Sequence, residues 1–205
     1  MTKNIDYSLY LVTNRFDMNM DKFLEVIEES IKGGVTLVQL REKELSTLEF
    51  YKLALKVKKI TNKYNVPLII NDRLDIAQAV DAEGVHLGQD DMPCDVARKI
   101  LGEDKIIGIS ADNLIDCETA VNNDADYIGI GSMYKTNTKD DVELVNHNEL
   151  KKIFNKIDIA KVAIGGIKES NYKEVMNEYD FDGIAVVSAI MLANDPKSTS
   201  IKFLK

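Results

Sequence analysis

Short apolar runs alternate with longer amphipathic segments from one end of the chain to the other. Candidate strands begin near Tyr7 (YSLYLVT), Leu37 (LVQLR), Leu68 (LIIN), Gly84 (GVHLG), Ile106 (IIGIS), Tyr127 (YIGIG), Lys161 (KVAIG) and Gly183 (GIAVV). Each is four to seven residues long and rich in Val, Ile, Leu or Tyr, as expected of strands buried on both faces. Between them lie helix-period segments, among them 21–32, 46–64, 114–122 and 168–179. Ser46 and Glu49 fit the S-x-x-E capping box, in which each end satisfies a free backbone N–H of the other. Pro93 stands where the helix after the fourth strand should start, a position that suits its fixed φ. Strand then helix, repeated eight times, predicts parallel strands joined by crossover helices. At roughly 26 residues per unit the repeat is compact, and it predicts one (β/α)8 TIM barrel spanning residues 1–205. An open doubly wound sheet would more often use five or six strands.

Composition adds limits to this picture. Of 205 residues, 45% are hydrophobic and 29% charged, with 11 Gly and 3 Pro. That is the profile of a soluble globular chain able to bury one sizeable core. A net charge of −8 argues against a nucleic-acid binder, which carries a basic face or stripe. Lys52, Lys56, Lys58, Lys59 and Lys63 read as a solvated helix face. The first residues hold no apolar leader, and no run approaches the ~20 apolar residues of a membrane span. Cys94 and Cys117 lie far apart, without C-x-x-C spacing or a neighbouring His, and read as ordinary thiols of a reducing compartment. A cytoplasmic protein acting on small molecules is the expectation.

In a barrel, chemistry gathers at the C-terminal ends of the strands. There the sequence places Gln39, Arg41, Glu42 and Lys43 after the second strand, and Asn71, Asp72 and Arg73 after the third. Gln89, Asp90 and Asp91 follow the fourth, Ser110 and Asp112 the fifth, and the stretch from Ser132 to Lys139 the sixth. Gly165-Gly166 and Val187-Ser188 end the seventh and eighth. This last pair matches a barrel phosphate site: glycines admit close backbone approach, and helix N-terminal N–H groups face the anion. Arg41, Lys43 and Lys139 form a second anion site, since Arg offers a planar fork and Lys a mobile charge. Asp72 and Asp91 come from adjacent strands, so a hard cation such as Mg²⁺ could bridge them, held also by water and substrate phosphate. The competing reading makes Asp72 the cap of a helix that begins at Arg73. Asp90 and Asp112 read as structural or solvated. His86 reads as a satisfied core histidine rather than a base, and His147 as a surface residue at a helix start. No Ser–His or Cys–His pairing supports a covalent nucleophile.

These residues resemble a known family. Gln39-Leu40-Arg41-Glu42-Lys43 resembles the Q-x-R-x-K motif of thiamine phosphate synthases. Ile70-Asn71-Asp72, His86-Leu87-Gly88-Gln89-Asp90-Asp91 and Gly108-Ile109-Ser110 resemble its next three motifs, in order. Thr136-Asn137-Thr138-Lys139 is similar to its T-x-T-K loop, and Ala163 to Ile167 with Val187 to Ile190 to its phosphate-binding end. The resemblance runs from about Gln39 to Ile190, most of the chain.

It implies a transferase that joins 4-amino-5-hydroxymethyl-2-methylpyrimidine diphosphate to 4-methyl-5-(2-phosphooxyethyl)thiazole, releasing pyrophosphate. Gln39, Leu40, Arg41, Glu42, Lys43, Asn71, Ser110 and Lys139 would bind the pyrimidine diphosphate, with Arg41, Lys43, Ser110 and Lys139 catalytic. Thr136, Asn137, Thr138, Gly166, Val187 and Ser188 would bind the thiazole phosphate, and Asp72 and Asp91 would hold Mg²⁺. Two positions depart from the family pattern: Lys135 stands where many members have Pro, and Asp112 where a His is common. A thiazole tautomerase of the same superfamily is the nearest rival, but relatives of that type carry His where this chain has Ser132. A non-catalytic phosphate-binding barrel is the second rival, and it would not need the paired Asp.

Overall fold

The computed structural model describes residues 5–135 and 144–204. Eight parallel strands close a barrel in chain order, with β1 hydrogen-bonded to both β2 and β8. The strands are β1 (Leu9–Val12), β2 (Leu37–Leu40), β3 (Leu68–Asn71), β4 (Gly84–Leu87), β5 (Ile106–Ser110), β6 (Tyr127–Ile130), β7 (Ala160–Ile164) and β8 (Gly183–Val186). Helices follow each: α1 (Met20–Lys32), α2 (Thr47–Lys63), α3 (Leu74–Ala79), α4 (Cys94–Leu101), α5 (Leu114–Asn122), α6 (His147–Lys156), α7 (Tyr172–Glu178), and α8 (Ser188–Met191) with α9 (Pro196–Lys202). The Ser46–Glu49 capping box forms at the start of α2, and Pro93 stands at the N-cap of α4.

The 168–179 segment starts its helix late, at Tyr172. Lys168 N donates to Asn171 Oδ1 at 2.7 Å, and Asn171 Nδ2 donates to Gly166 O at 3.1 Å. An Asn that ties its own side chain to nearby backbone favours a turn over a helix interior. Here the turn braces the end of β7.

Strand parity divides the core into two layers. Leu9, Leu11, Val38, Leu40, Ile70, Val85, Ile107 and Ile128 belong to the cluster shared with the helices. Tyr7, Tyr10, Val12, Leu37, Ile69, Ile106, Tyr127, Val162 and Ala185 fill the barrel itself. The same parity turns Gln39, Asn71, His86 and Ser110 inward at successive strand ends. Glycine makes room for this layer: a Cβ at Gly108 would lie 2.0 Å from the Tyr127 ring.

At the opposite end of the barrel, each even strand clips the odd strand before it. The residue just before the even strand donates its N–H to one carbonyl and accepts, through its side chain, the N–H of that same residue. Thr36 does this to Leu9, Glu83 to Leu68, Asp126 to Ile107 and Asp182 to Lys161. Asp126 also accepts from buried Arg98 at 2.7 Å, whose Nη1 and Nη2 also donate to the carbonyls of Gly102, Lys105 and Asp124. Losing one partner of a buried ion pair leaves the other charge uncompensated. Asp126→Ala should therefore cost about 3 kcal/mol in urea unfolding, and Asp182→Ala, on an exposed residue, only about 1 kcal/mol. Equal losses would mean that Arg98 contributes nothing through Asp126.

Candidate active site

Strand β2 delivers Gln39 inward, where its Nε2 donates to Tyr10 Oη at 2.8 Å and only 3% of the residue is exposed. Leu40 has the opposite parity, and its side chain packs under the helices. Any contact of Leu40 with the pyrimidine diphosphate would therefore run through its backbone. Glu42 is also engaged elsewhere: Arg15 Nε donates to its carboxylate at 2.8 Å. Burial pushes this carboxyl upward, and Arg15 opposes the shift. Arg15 escaped the sequence reading because it follows β1, which carries none of the matched motifs. Arg41 is half-buried, with its N–H donated to Thr13 Oγ1 at 3.1 Å, while Lys43 is exposed.

The two aspartates meet. Asp72 sits at φ 60°, a left-handed conformation that non-glycine residues adopt uncommonly, and its N–H donates to His86 O at 2.9 Å. This kink ends the strand parity and turns the carboxyl toward Asp91. Burial, a hydrogen bond to Asp91 and the charge of Asp91 push the Asp72 carboxyl up to about 6, against the pull of Lys43 and Arg41. Asp91 is held by the Gly88 N–H, 2.7 Å from its Oδ2. Asp72 does not cap a helix: α3 starts at Leu74 without a side-chain cap, and Arg73 turns to Asp75 and Thr47. Two crowded carboxylates at one rim are oxygen donors of the kind that hold a hard cation. Among the described residues no group of three or more His, Cys, Asp or Glu could hold a metal ion. A set of two suits Mg²⁺, which keeps several waters and takes phosphate oxygens.

His86 has both ring nitrogens bonded, Nδ1 to Tyr127 Oη and Nε2 to Ser110 Oγ, each at 2.9 Å. It is the satisfied histidine that the sequence predicts, yet it also touches a site residue. Gln89 Nε2 donates to Ser110 O at 2.6 Å and fixes the end of β5. Asp90 and Asp112 are exposed, and His147 lies on the surface at the start of α6, against Tyr179.

Opposite the aspartates, Gly165 and Gly166 adopt φ 99° and 63°. The segment after β6 lies on them: Tyr134 N donates to Gly165 O at 3.0 Å, and Ser132 Oγ to Tyr134 O at 2.6 Å. Thr136, Asn137, Thr138 and Lys139, which continue that segment, lie outside the described residues. Val187 and Ser188 are half-buried, with Ser188 opening α8. Ser188 shares an open cleft with Lys168, a cation that the sequence motifs do not single out. Burial pushes the Cys94 and Cys117 thiols up to about 11 and about 12, so neither is a ready nucleophile.

Comparison with known proteins identifies the family. Residues 9–190 match the family model described as thiamine monophosphate synthase. A thiamine-phosphate synthase of Methanobrevibacter smithii is 58% identical over 202 residues, covering 98% of this chain and 96% of the relative. A thiamine-phosphate synthase of Clostridium botulinum (strain Eklund 17B) is 54% identical over 200 residues, with 97% and 93% covered. A solved structure of a thiamine phosphate pyrophosphorylase from Pyrococcus furiosus superposes with a TM-score of 0.87 at 36% identity, covering 97% and 94%.

Proposed function

The chain belongs to the thiamine monophosphate synthase family, and from this we propose that it condenses the pyrimidine diphosphate with the thiazole phosphate to give thiamine phosphate and pyrophosphate. The observation within the site that carries this reading is the contact of Asp72 with Asp91, flanked by Arg41 and Lys43. A barrel that only sensed phosphate would have no use for crowded carboxylates at its rim. Ser132 donates its hydroxyl to Tyr134 O and stands where tautomerase relatives carry His, which favours the synthase over that rival.

The bond between the pyrimidine methylene carbon and the diphosphate oxygen breaks first, because the electron-rich aminopyrimidine stabilises the methylene cation. Arg41, Lys43 and Lys139 oppose the charge that grows on the departing pyrophosphate, and fixed charges of this kind supply much of such catalysis. Asp72 and Asp91 would hold Mg²⁺, which when bound neutralises diphosphate charge. Gly165, Gly166, Val187 and Ser188, with Thr136 to Thr138, anchor the thiazole phosphate so that the ring nitrogen faces the cation, and orientation does the rest. No protein nucleophile takes part. Gln39, Asn71 and Ser110, inward residues at the ends of β2, β3 and β5, orient the pyrimidine. Among the described residues no helix is long and apolar enough to cross a membrane, and we place the reaction in the cytoplasm, where the two free thiols stay reduced.

Incubation with both substrates and Mg²⁺ should yield thiamine phosphate and pyrophosphate in equal amounts, and omission of either substrate should abolish the product. Folded protein that forms neither product overturns the proposal. Conversion of the thiazole substrate alone, without condensation, would favour the tautomerase.

A further inference from the structure

Four hydrogen bonds join five side chains into one line inside the barrel. Gln39 Nε2 lies 2.8 Å from Tyr10 Oη, and Tyr10 Oη lies 2.8 Å from Tyr127 Oη. Tyr127 Oη then lies 2.9 Å from His86 Nδ1, and His86 Nε2 lies 2.9 Å from Ser110 Oγ. The line begins on β2 and ends on β5, and both of its ends are residues assigned to the pyrimidine diphosphate. Gln39, Tyr10, Tyr127 and His86 are 3%, 2%, 0% and 9% exposed, so water cannot scramble the pattern. A Cβ at Gly129 would lie 3.2 Å from the His86 ring, and Gly108 yields the space of the Tyr127 ring. The backbone is thus cut to fit the line.

The direction of every bond follows from its first member. The amide nitrogen of Gln39 only donates, so the Tyr10 oxygen accepts and its own hydrogen passes to Tyr127. Tyr127 accepts from Tyr10 and donates to His86 Nδ1. An imidazole that accepts at Nδ1 carries its hydrogen on Nε2 when neutral, and Nε2–H donates to Ser110 Oγ. The Ser110 hydrogen is then turned away from His86 and toward the mouth of the barrel. Burial pushes the phenols of Tyr10 and Tyr127 upward, which keeps both hydroxyls protonated and able to pass the pattern on.

We propose that this line fixes Ser110 as a hydrogen-bond donor to the pyrimidine diphosphate, with His86 and Tyr127 as positioning residues. The inference rests on the assignment of Ser110 to that substrate. No proton is transferred along the line; what it supplies is orientation. An acceptor turned toward an anionic substrate would repel it, whereas a donor held in place before binding costs nothing to reorient. Reversed polarity would instead make His86 a base toward Ser110. The two arrangements differ in one hydrogen on His86.

That hydrogen can be observed directly. Long-range ¹H–¹⁵N correlation on histidine-labelled wild-type protein should show His86 protonated at Nε2 and bare at Nδ1. A hydrogen on Nδ1 overturns the proposal, whatever the activity. In steady-state kinetics, Tyr127→Phe keeps the ring, removes the donor to Nδ1, and should lower kcat by about 5-fold, the scale of one neutral hydrogen bond. In a Ser110→Ala background the same change should cost nothing further, because the group it positions is gone. An equal loss in both backgrounds marks a merely structural role and overturns the proposal. If Tyr127→Phe does not fold, Tyr10→Phe breaks the line one step earlier and replaces it in the cycle. If the tautomer is as expected but Ser110→Ala is kinetically silent, the assignment of Ser110 falls, and the proposal with it.

Discussion

Asp91→Ala should retain the fold and lose at least about 100-fold in turnover at limiting Mg²⁺. Changes to residues that merely support a metal ligand already cost 10–100-fold in affinity or activity, and Asp91 would be a ligand itself. The barrel should not depend on this carboxylate, which among the described residues ties only to the Gly88 N–H and to Asp72, both at the rim. High Mg²⁺ should restore part of the rate if Asp72 alone still holds the ion. Wild-type activity for both Asp72→Ala and Asp91→Ala at limiting Mg²⁺ would place the clamp on the wrong residues.

The same pair makes a second expectation that needs no turnover. With Asp72 pushed up to about 6 by burial and by Asp91, the metal-free folded state holds a proton that the unfolded state has released above its ordinary pKa of about 3.9. Between these two values the folded state binds more protons than the unfolded one. Metal-free stability should therefore fall as pH rises from about 4 to about 6, then level off. A cation that binds the ionised pair competes with that proton, so Mg²⁺ should raise the unfolding temperature more at pH 7.5 than at pH 5. Asp91→Asn removes the neighbouring charge and should reduce both effects, leaving the part that burial of Asp72 causes. A Mg²⁺ shift that is the same at both pH values in the wild type would mean that the ion binds elsewhere.

The barrel was legible because both of its signals are local. Eight apolar runs fix the strands, and Ser46-to-Glu49 and Pro93 mark two helix starts within a residue. The site was legible at strand ends for the same reason: parity aims Gln39, Asn71 and Ser110 inward once the strands are placed. What the sequence hid is pairing across strands. Nothing near Glu42 says that Arg15, on the neighbouring β1–α1 connection, neutralises it. Leu40 sits inside a matched motif, and only its parity shows that it faces the helices. The role of His86 follows from where Ser110 on β5 and Tyr127 on β6 place their oxygens, and that depends on the register of successive strands, which no local pattern states. The late start of α7 was hidden by Asn171, whose side chain competes for backbone bonds that a helix pattern would assume.

Gly166→Val should damage the thiazole side selectively, and more than any loss of a single hydroxyl there. Gly166 has φ 63°, and a Cβ at this position would lie 2.7 Å from Lys135 O and 2.9 Å from Tyr134 O. With Tyr134 Cβ at 2.8 Å, every obstacle is backbone or a Cβ fixed to it, so no flexible side-chain tip can swing aside. A β-branched residue with positive φ adds strain of about 1–3 kcal/mol. The relief available is to push the Lys135 segment off β7, and that segment leads directly into Thr136, Asn137 and Thr138. The anion thus loses close backbone approach at Gly166, and the lead-in to the predicted thiazole-phosphate residues shifts with it. The KM for the thiazole phosphate should rise by at least about 10-fold, while that for the pyrimidine diphosphate changes far less. Ser188→Ala, which removes at most one hydroxyl contact to an anion that does not react, should raise the same KM by only about 5-fold. Gly166→Ala, with the same clash but less bulk, should fall between them and covers the case in which the Val enzyme does not fold. Kinetics with each substrate varied in turn separate the possibilities. A folded Gly166→Val enzyme impaired only toward the pyrimidine diphosphate would show that the two substrate sites must be exchanged.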